Sequence, residues 1–211
     1  MRDLDGIDRI ALIGGHPALD FANTVEDRDT AEENDYLPSY EAVLRWAARA
    51  ELLSTTDAGR LALAARRDSA GAARAWKDLL RLRRSMQLIF LALARHETPP
   101  AAALAHINKQ VRLASAHRRL QPRGDHFAWS WDRGSLELKL PQWEIAQSAA
   151  ELLTSDRLGR LRNCAHEPCD WLFLDSSRNG RRRWCQMETC GNLAKLRRFR
   201  AKAKLRPKGR A

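Results

Sequence analysis

The chain has 211 residues and a mass of 24.0 kDa, with 37 Lys/Arg against 26 Asp/Glu and a formal net charge of +11. That length allows one sizeable core plus a small appended module. Its start is acidic and lacks an apolar stretch, and the longest apolar run, residues 88–94, is far short of the ~20 residues a bilayer needs. Export and membrane spanning are therefore not expected, and a cytoplasmic protein is.

In residues 10–25 a short apolar run ends in Gly14-Gly15, and Pro17 suits the first turn of a helix. That helix places His16, Asp20, and Asn23 or Thr24 along one side. Two readings follow: a satisfied polar network at a helix start, or polar groups lining a small-molecule pocket. Residues 27–38 are acidic and polar and read as a mobile surface loop. Ser39 then caps a helix to residue 50, and Thr55 or Thr56 caps another to about residue 67. A long, largely buried helix follows over residues 70–96. Pro99-Pro100 ends it and opens the next, which carries Leu104, Ile107, Val111 and Ala114.

The period then changes. Phe127, Trp129 and Trp131 alternate with polar or small residues, as do Leu136, Leu138 and Leu140, and Asp132-Arg133-Gly134 separates the two runs. This predicts a β-hairpin whose apolar face lies on the helices. A helix over residues 142–158 leads into the C-terminal segment.

That segment holds all four cysteines of the chain: Cys164 and Cys169, then a connector of fifteen residues, then Cys185 and Cys190. Two short pairs facing each other suit one tetrahedral Zn²⁺, and an all-sulfur shell with no open position makes that zinc structural. Local disulfides are the alternative, disfavoured because nothing marks the chain for an oxidising compartment. Binding would contribute on the order of 10 kcal/mol to folding so small a segment, which should be disordered without metal. Arg162, Arg181, Arg182 and Arg183 surround the cluster and offset its negative charge. After Cys190, helical geometry puts Leu193, Leu196, Phe199 and Ala203 on a stripe facing the zinc core. Lys195, Arg198 and Lys202 then lie on one flank, and Arg197, Arg200 and Lys204 on the other.

The charge separates the parts. Residues 157–211 contain sixteen Lys/Arg and four Asp/Glu, so all the excess positive charge lies there, as in a polyanion-binding module. The expected architecture is mainly α with a β-hairpin (α+β). A helical N-terminal domain, residues 1–156, is followed by a small four-cysteine zinc-knuckle domain ending in a basic helix, residues 157–205, and a disordered tail, 206–211. Among catalytic signatures there is no phosphate-binding glycine loop, no His-Glu-x-x-His and no nucleophile elbow, and His96, His106, His117 and His126 are scattered. No catalytic residues are assigned.

Gly14-Gly15 with Leu19-Asp20-Phe21-Ala22-Asn23-Thr24 resembles the N-terminal signature of the CGNR zinc-finger proteins, whose N-terminal half is called the ABATE domain. Phe173, Asp175, Ser177-Arg178-Asn179, Arg182-Arg183-Trp184-Cys185, Met187 and Cys190-Gly191-Asn192 resemble that family's zinc segment. The resemblance implies a bacterial, stress-induced transcription regulator with a DNA-binding finger. One departure stands out: the family's name records Arg after Cys-Gly-Asn, and here that position is Leu193.

The leading expectation is a DNA-binding regulator whose contacts come from Arg181, Arg182, Arg183, Lys195, Arg197, Arg198, Arg200, Lys202 and Lys204. The N-terminal domain would sense a small-molecule effector through His16, Asp20, Asn23 and Thr24, or mediate homo-oligomeric assembly. A second expectation is an RNA- or ribosome-associated module in which Trp171, Phe173, Trp184 or Phe199 stacks on unpaired bases. A third is an enzyme with its site near His16 and Asp20.

Overall fold

The computed structural model describes residues 6–26, 34–131, 137–167 and 169–204, with side chains described as far as Arg200. Several helices begin where the sequence supplies a capping side chain. α1 (Gly6–Arg9) is one turn, anchored by buried Ile7 and an Asp8–Arg45 ion pair. In α2 (Pro17–Ala22) the proline supplies the first helical φ and His16 Nδ1 accepts from Ala18 N–H at 3.3 Å. Burial and then the nearby Arg157 lower the His16 pKa, which keeps that nitrogen available as an acceptor.

β1 (Val25–Glu26) and β2 (Asn34–Asp35) pair antiparallel, so the stretch read as a loop closes on a strand; residues 27–33 lie outside those described. Ser39 caps α3 (Tyr40–Arg49), as predicted. Ser54, not Thr55 or Thr56, caps α4 (Thr55–Arg67), and Asp68 caps α5 (Ser69–Ala94). α6 (Ala101–Ser115) starts after Pro100. β3 (Arg118–Arg123) and β4 (His126–Trp131) form the hairpin, and α7 (Leu140–Leu153) and a 3₁₀ turn (Asp156–Arg160) complete the body.

Two expectations about the hairpin fail. Residues 126–131 pair with Arg118–Arg123, in the register Leu120 to Trp129 and Pro122 to Phe127, while Leu140 opens α7. Leu136 and the expected turn at residues 132–134 lie outside the described residues. The apolar face is also not covered by helices. Leu120, Phe127 and Trp129 are more than half exposed, and only Trp131, at the base, packs on the core. Near the tip, Pro122 and Arg123 border an open cleft shared with Ser54 and Asp57 and do not pack into the core.

The helices enclose one core containing Leu19, Phe21, Trp46, Leu79, Phe90, Ile145 and Leu152, with the Phe21 and Trp46 rings 5.0 Å apart. Polar residues cross it in hydrogen-bonded networks. Arg83, on α5, donates to the Asp35 carboxylate at 2.8 and 2.6 Å and to the Thr24 carbonyl and hydroxyl at 3.1 Å. Between α5, α6 and α7, Gln142 donates to Gln110 Oε1 at 2.9 Å and Gln110 donates to His106 Nε2 at 3.0 Å. His106 Nδ1 then donates to Ser85 Oγ at 2.8 Å, so this histidine belongs to a structural relay. No helix among the described residues is long and apolar enough to cross a membrane.

Candidate metal centre and basic helix

β5 (Leu161–Asn163) runs antiparallel to β6 (Leu172–Leu174) and delivers Cys164 and Trp171 side by side, with Cys164 N–H donating to the Trp171 carbonyl at 2.8 Å. Cys169 N–H turns back to the His166 carbonyl at 2.7 Å, closing the first knuckle. A contact from Ala165 N–H to the Arg183 carbonyl, 2.9 Å, draws the second pair against the first. A π-helical turn (Met187–Gly191) then carries Cys190 into α8 (Asn192–Lys204).

The result brings Cys164, Cys169, Cys185 and Cys190 together. Their Sγ atoms all lie within 4.8 Å of one another, with Cys185 3.6 Å from both Cys169 and Cys190. Tetrahedral Zn–S bonds of ~2.3 Å would hold sulfurs ~3.8 Å apart, so the cage fits one zinc ion. All four are free thiols, which sets aside the disulfide alternative. Packed this closely they cannot all carry charge without a cation. Hydrogen bonds from Cys169 and then Cys185 pull the Cys164 thiol down, while the neighbouring sulfurs push Cys169 and Cys185 up. The donor set is closed and mostly buried, suited to holding structure and not to activating water. His166 is buried within the knuckle but is not part of the sulfur cage.

The finger and the helical body share a core. Leu161, Leu172, Phe173 and Leu174 are buried in the same cluster as the helices, together with Cys164, Cys185 and Cys190. The seam is closed by the residues that sequence singled out as a pocket. Asn23 exchanges two hydrogen bonds of 2.8 Å with the Leu172 peptide, its amide donating to the carbonyl and its oxygen accepting from N–H. Leu174 N–H donates to the Gly14 carbonyl at 2.9 Å, and Gly14 N–H donates to Asp20 Oδ1 at 2.8 Å. A side chain at Gly14 would meet Leu19 Cβ at 2.8 Å, so only glycine permits this approach. Thr24 donates to the Phe21 carbonyl and accepts from Arg83, and Arg157 donates to the Gly15 carbonyl at 2.6 Å. Sequence offered no sign that Leu172 and Leu174 complete this network, because backbone partners leave no residue signature.

The basic residues divide. Arg182 is turned inward: its guanidinium donates to the Trp184 and Cys185 carbonyls and lies 4.3 Å from the Phe173 ring centre. Asp175 is buried and anchors the loop beneath, accepting from Ser177 N–H and hydroxyl and from Arg182 N–H. Burial opposes its ionisation, but these donors prevail and hold its pKa below the usual range. Arg181 and Arg183 are exposed beside the knuckle, and Lys195, Arg197, Arg198 and Arg200 are exposed on α8. Arg197 also donates to the Glu167 carbonyl at 2.9 Å. The side chains of Lys202 and Lys204 lie outside those described.

The apolar stripe of α8 does not face the zinc core. Leu193 and Leu196 are nearly half exposed and Phe199 is 71% exposed. The knuckle meets the helix at its start, through Cys190 and Gly191, and farther along through the Arg197 bond to the Glu167 carbonyl, and the π-turn sets the phase with which α8 departs. The rest projects from the body.

Two family matches cover most of the chain: residues 15–156 match the ABATE family, described as "Putative stress-induced transcription regulator", and residues 160–203 match the CGNR zinc finger. A comparison with curated proteins finds no match. The first match spans well over half the chain and the second contains the cysteine cage, so this chain belongs to the ABATE family and ends in a CGNR zinc finger.

Proposed function

We propose that this protein is a transcription regulator that binds DNA through its zinc finger, working in the cytoplasm on the nucleoid. The observation that carries the reading is the position of the charge. The excess of basic residues falls within residues 157–211, and Lys195, Arg197, Arg198 and Arg200 are exposed on α8, which projects from the body. A helix held toward its N-terminal end with basic side chains in solvent is suited to a major groove or to a line of phosphates. Arg181 and Arg183, just before Cys185 in the chain, are exposed as well. The family descriptions, both regulatory or zinc-finger, support a regulator over an enzyme. In this reading the helical body receives a small-molecule signal or assembles with a second copy, and the finger is rigidly coupled to it through the shared core.

Titration of zinc-loaded protein into fluorescent duplex DNA tests the reading. Affinity should fall with salt by about 0.9 logarithmic units per logarithmic unit of salt for each phosphate engaged. The double reversal R198E/R200E should weaken binding across all sequences, and unchanged affinity would remove α8 from the interface. One observation favours a second reading. Trp171 and Phe173 are buried and Trp184 is half-buried, but Phe199 stands out in solvent, available to stack on an unpaired base. Preference for single-stranded RNA over duplex DNA, lost in Phe199→Ala, would replace DNA with RNA as the partner.

A further inference from the structure

Between the start of the chain and the metal knuckles lies an open cleft of about 610 Å³, distinct from the Asn23–Leu172 seam. One wall comes from the body: Ile10 and Ile13, which follow α1. The opposite wall comes from the finger: Trp171 with Cys169, Cys185 and Cys190. The volume is that of a small-molecule site, and the lining joins apolar residues to a few polar ones, the usual make-up of such a site.

Apart from the thiols and Tyr36, the ionisable residues that line it are Arg9, Glu26 and the buried His166. Glu26 is already engaged, accepting from the Tyr36 hydroxyl at 2.8 Å. Arg9, on the same side of the cleft, is exposed, and its guanidinium is the permanent positive charge among the lining residues. A carboxylate is the partner that a guanidinium binds best, and an indole beside isoleucines favours a flat ring.

We infer that this cleft binds an aromatic monocarboxylate of one or two rings, its acid group on Arg9 and its ring between Ile13 and Trp171. The inference deepens the proposed function, resting on the reading of the body as a sensor. A molecule seated there touches both body and finger and covers three of the four sulfurs. Occupancy therefore adds to the hold of one module on the other and slows escape of the metal.

The test uses the zinc-loaded full chain, 2-naphthoate as probe and no nucleic acid, so failure of DNA binding would not bear on it. Calorimetry should show saturable one-to-one binding. Arg9→Gln should raise Kd about tenfold, while Ala11→Trp, which fills the cleft from the body side, should abolish binding with zinc content and circular dichroism unchanged. Should Ala11→Trp fail to fold, Thr189→Trp fills the cleft from the finger side and should act likewise. Saturating naphthoate should slow zinc transfer to a chromogenic chelator several-fold in the parent chain and not in the filled variant. The inference is overturned by an absence of binding at millimolar probe, by binding that survives both filling variants, or by tighter binding of 2-naphthylmethylamine than of the acid. Loss of the signal in Phe199→Ser or Trp129→Ser, with the cleft intact, would overturn it too, by placing the probe on the exposed aromatics of α8 or the hairpin.

Discussion

Asn23 and Leu172, 149 positions apart, pair as two strands would: the carboxamide of one occupies the donor and acceptor of the other's peptide, both at 2.8 Å. β6 thereby gains a partner on the edge that β5 does not cover. Truncation by Asn23→Ala strands a buried N–H and a buried carbonyl, each costing roughly 1–3 kcal/mol. We expect a loss of about 2–4 kcal/mol in urea denaturation with zinc bound. A change below about half a kilocalorie would mean that the seam is held elsewhere.

Metal removal should reach beyond the finger. Sequence alone predicted disorder confined to the C-terminal segment, but Leu172, Phe173 and Leu174 close the same core as Phe21 and Phe90. In Cys185→Ser, or after chelation, metal analysis should show the zinc lost. Thermal unfolding of the whole chain should then fall by roughly 20–40 °C, since the ~10 kcal/mol of metal binding is worth about 2–4 °C per kcal/mol at this size. A body transition indifferent to zinc would contradict the shared core.

Glu144 makes stability depend on pH. Burial pushes its carboxyl from 4.5 up to about 7, against the opposing Trp131 indole hydrogen bond and the charge of Arg118. Between those values the unfolded chain releases the proton that the folded chain keeps, so stability falls as pH rises through the window, by up to about 3 kcal/mol. Asp20, raised from 3.8 to about 6, acts in the same direction. Glu144→Gln keeps an acceptor for Trp131 and removes the charge. It should be more stable than the parent at pH 8, equal to it near pH 4, and show a shallower decline between; parallel curves for the two proteins would clear Glu144 of the effect.

Leu193 offers a gain-of-function test of the proposed interface. It is half exposed on α8, so a longer basic side chain has room. Leu193→Arg restores the residue in the family's name and should tighten DNA binding and steepen the salt dependence by about one phosphate's worth. Equal affinity at every salt concentration would place that side of α8 away from DNA.

The parts legible in sequence were those with a residue signature. Four cysteines in two pairs announced the cage, and Ser39, Pro17 and Pro100 marked helix starts through their own chemistry. The hairpin was misassigned because Arg118–Arg123 is exposed and polar, so burial imposed no alternation on it. The usable sign was Gly124, at φ 65° in the two-residue turn before His126. The stripe of α8 was legible as a stripe, but periodicity shows which residues share a face and not whether anything covers it. His16, Asp20, Asn23 and Thr24 were legible as a polar group on one side of a helix. That Asn23 reaches a peptide 149 positions away could only emerge once the chain was folded.

Because Leu172, Phe173 and Leu174 are buried in one cluster with the helices of the body, this finger is not an interchangeable cassette. Transplanted alone onto another host it would carry a bare greasy strand, so a working chimera must bring α2 along as its lid.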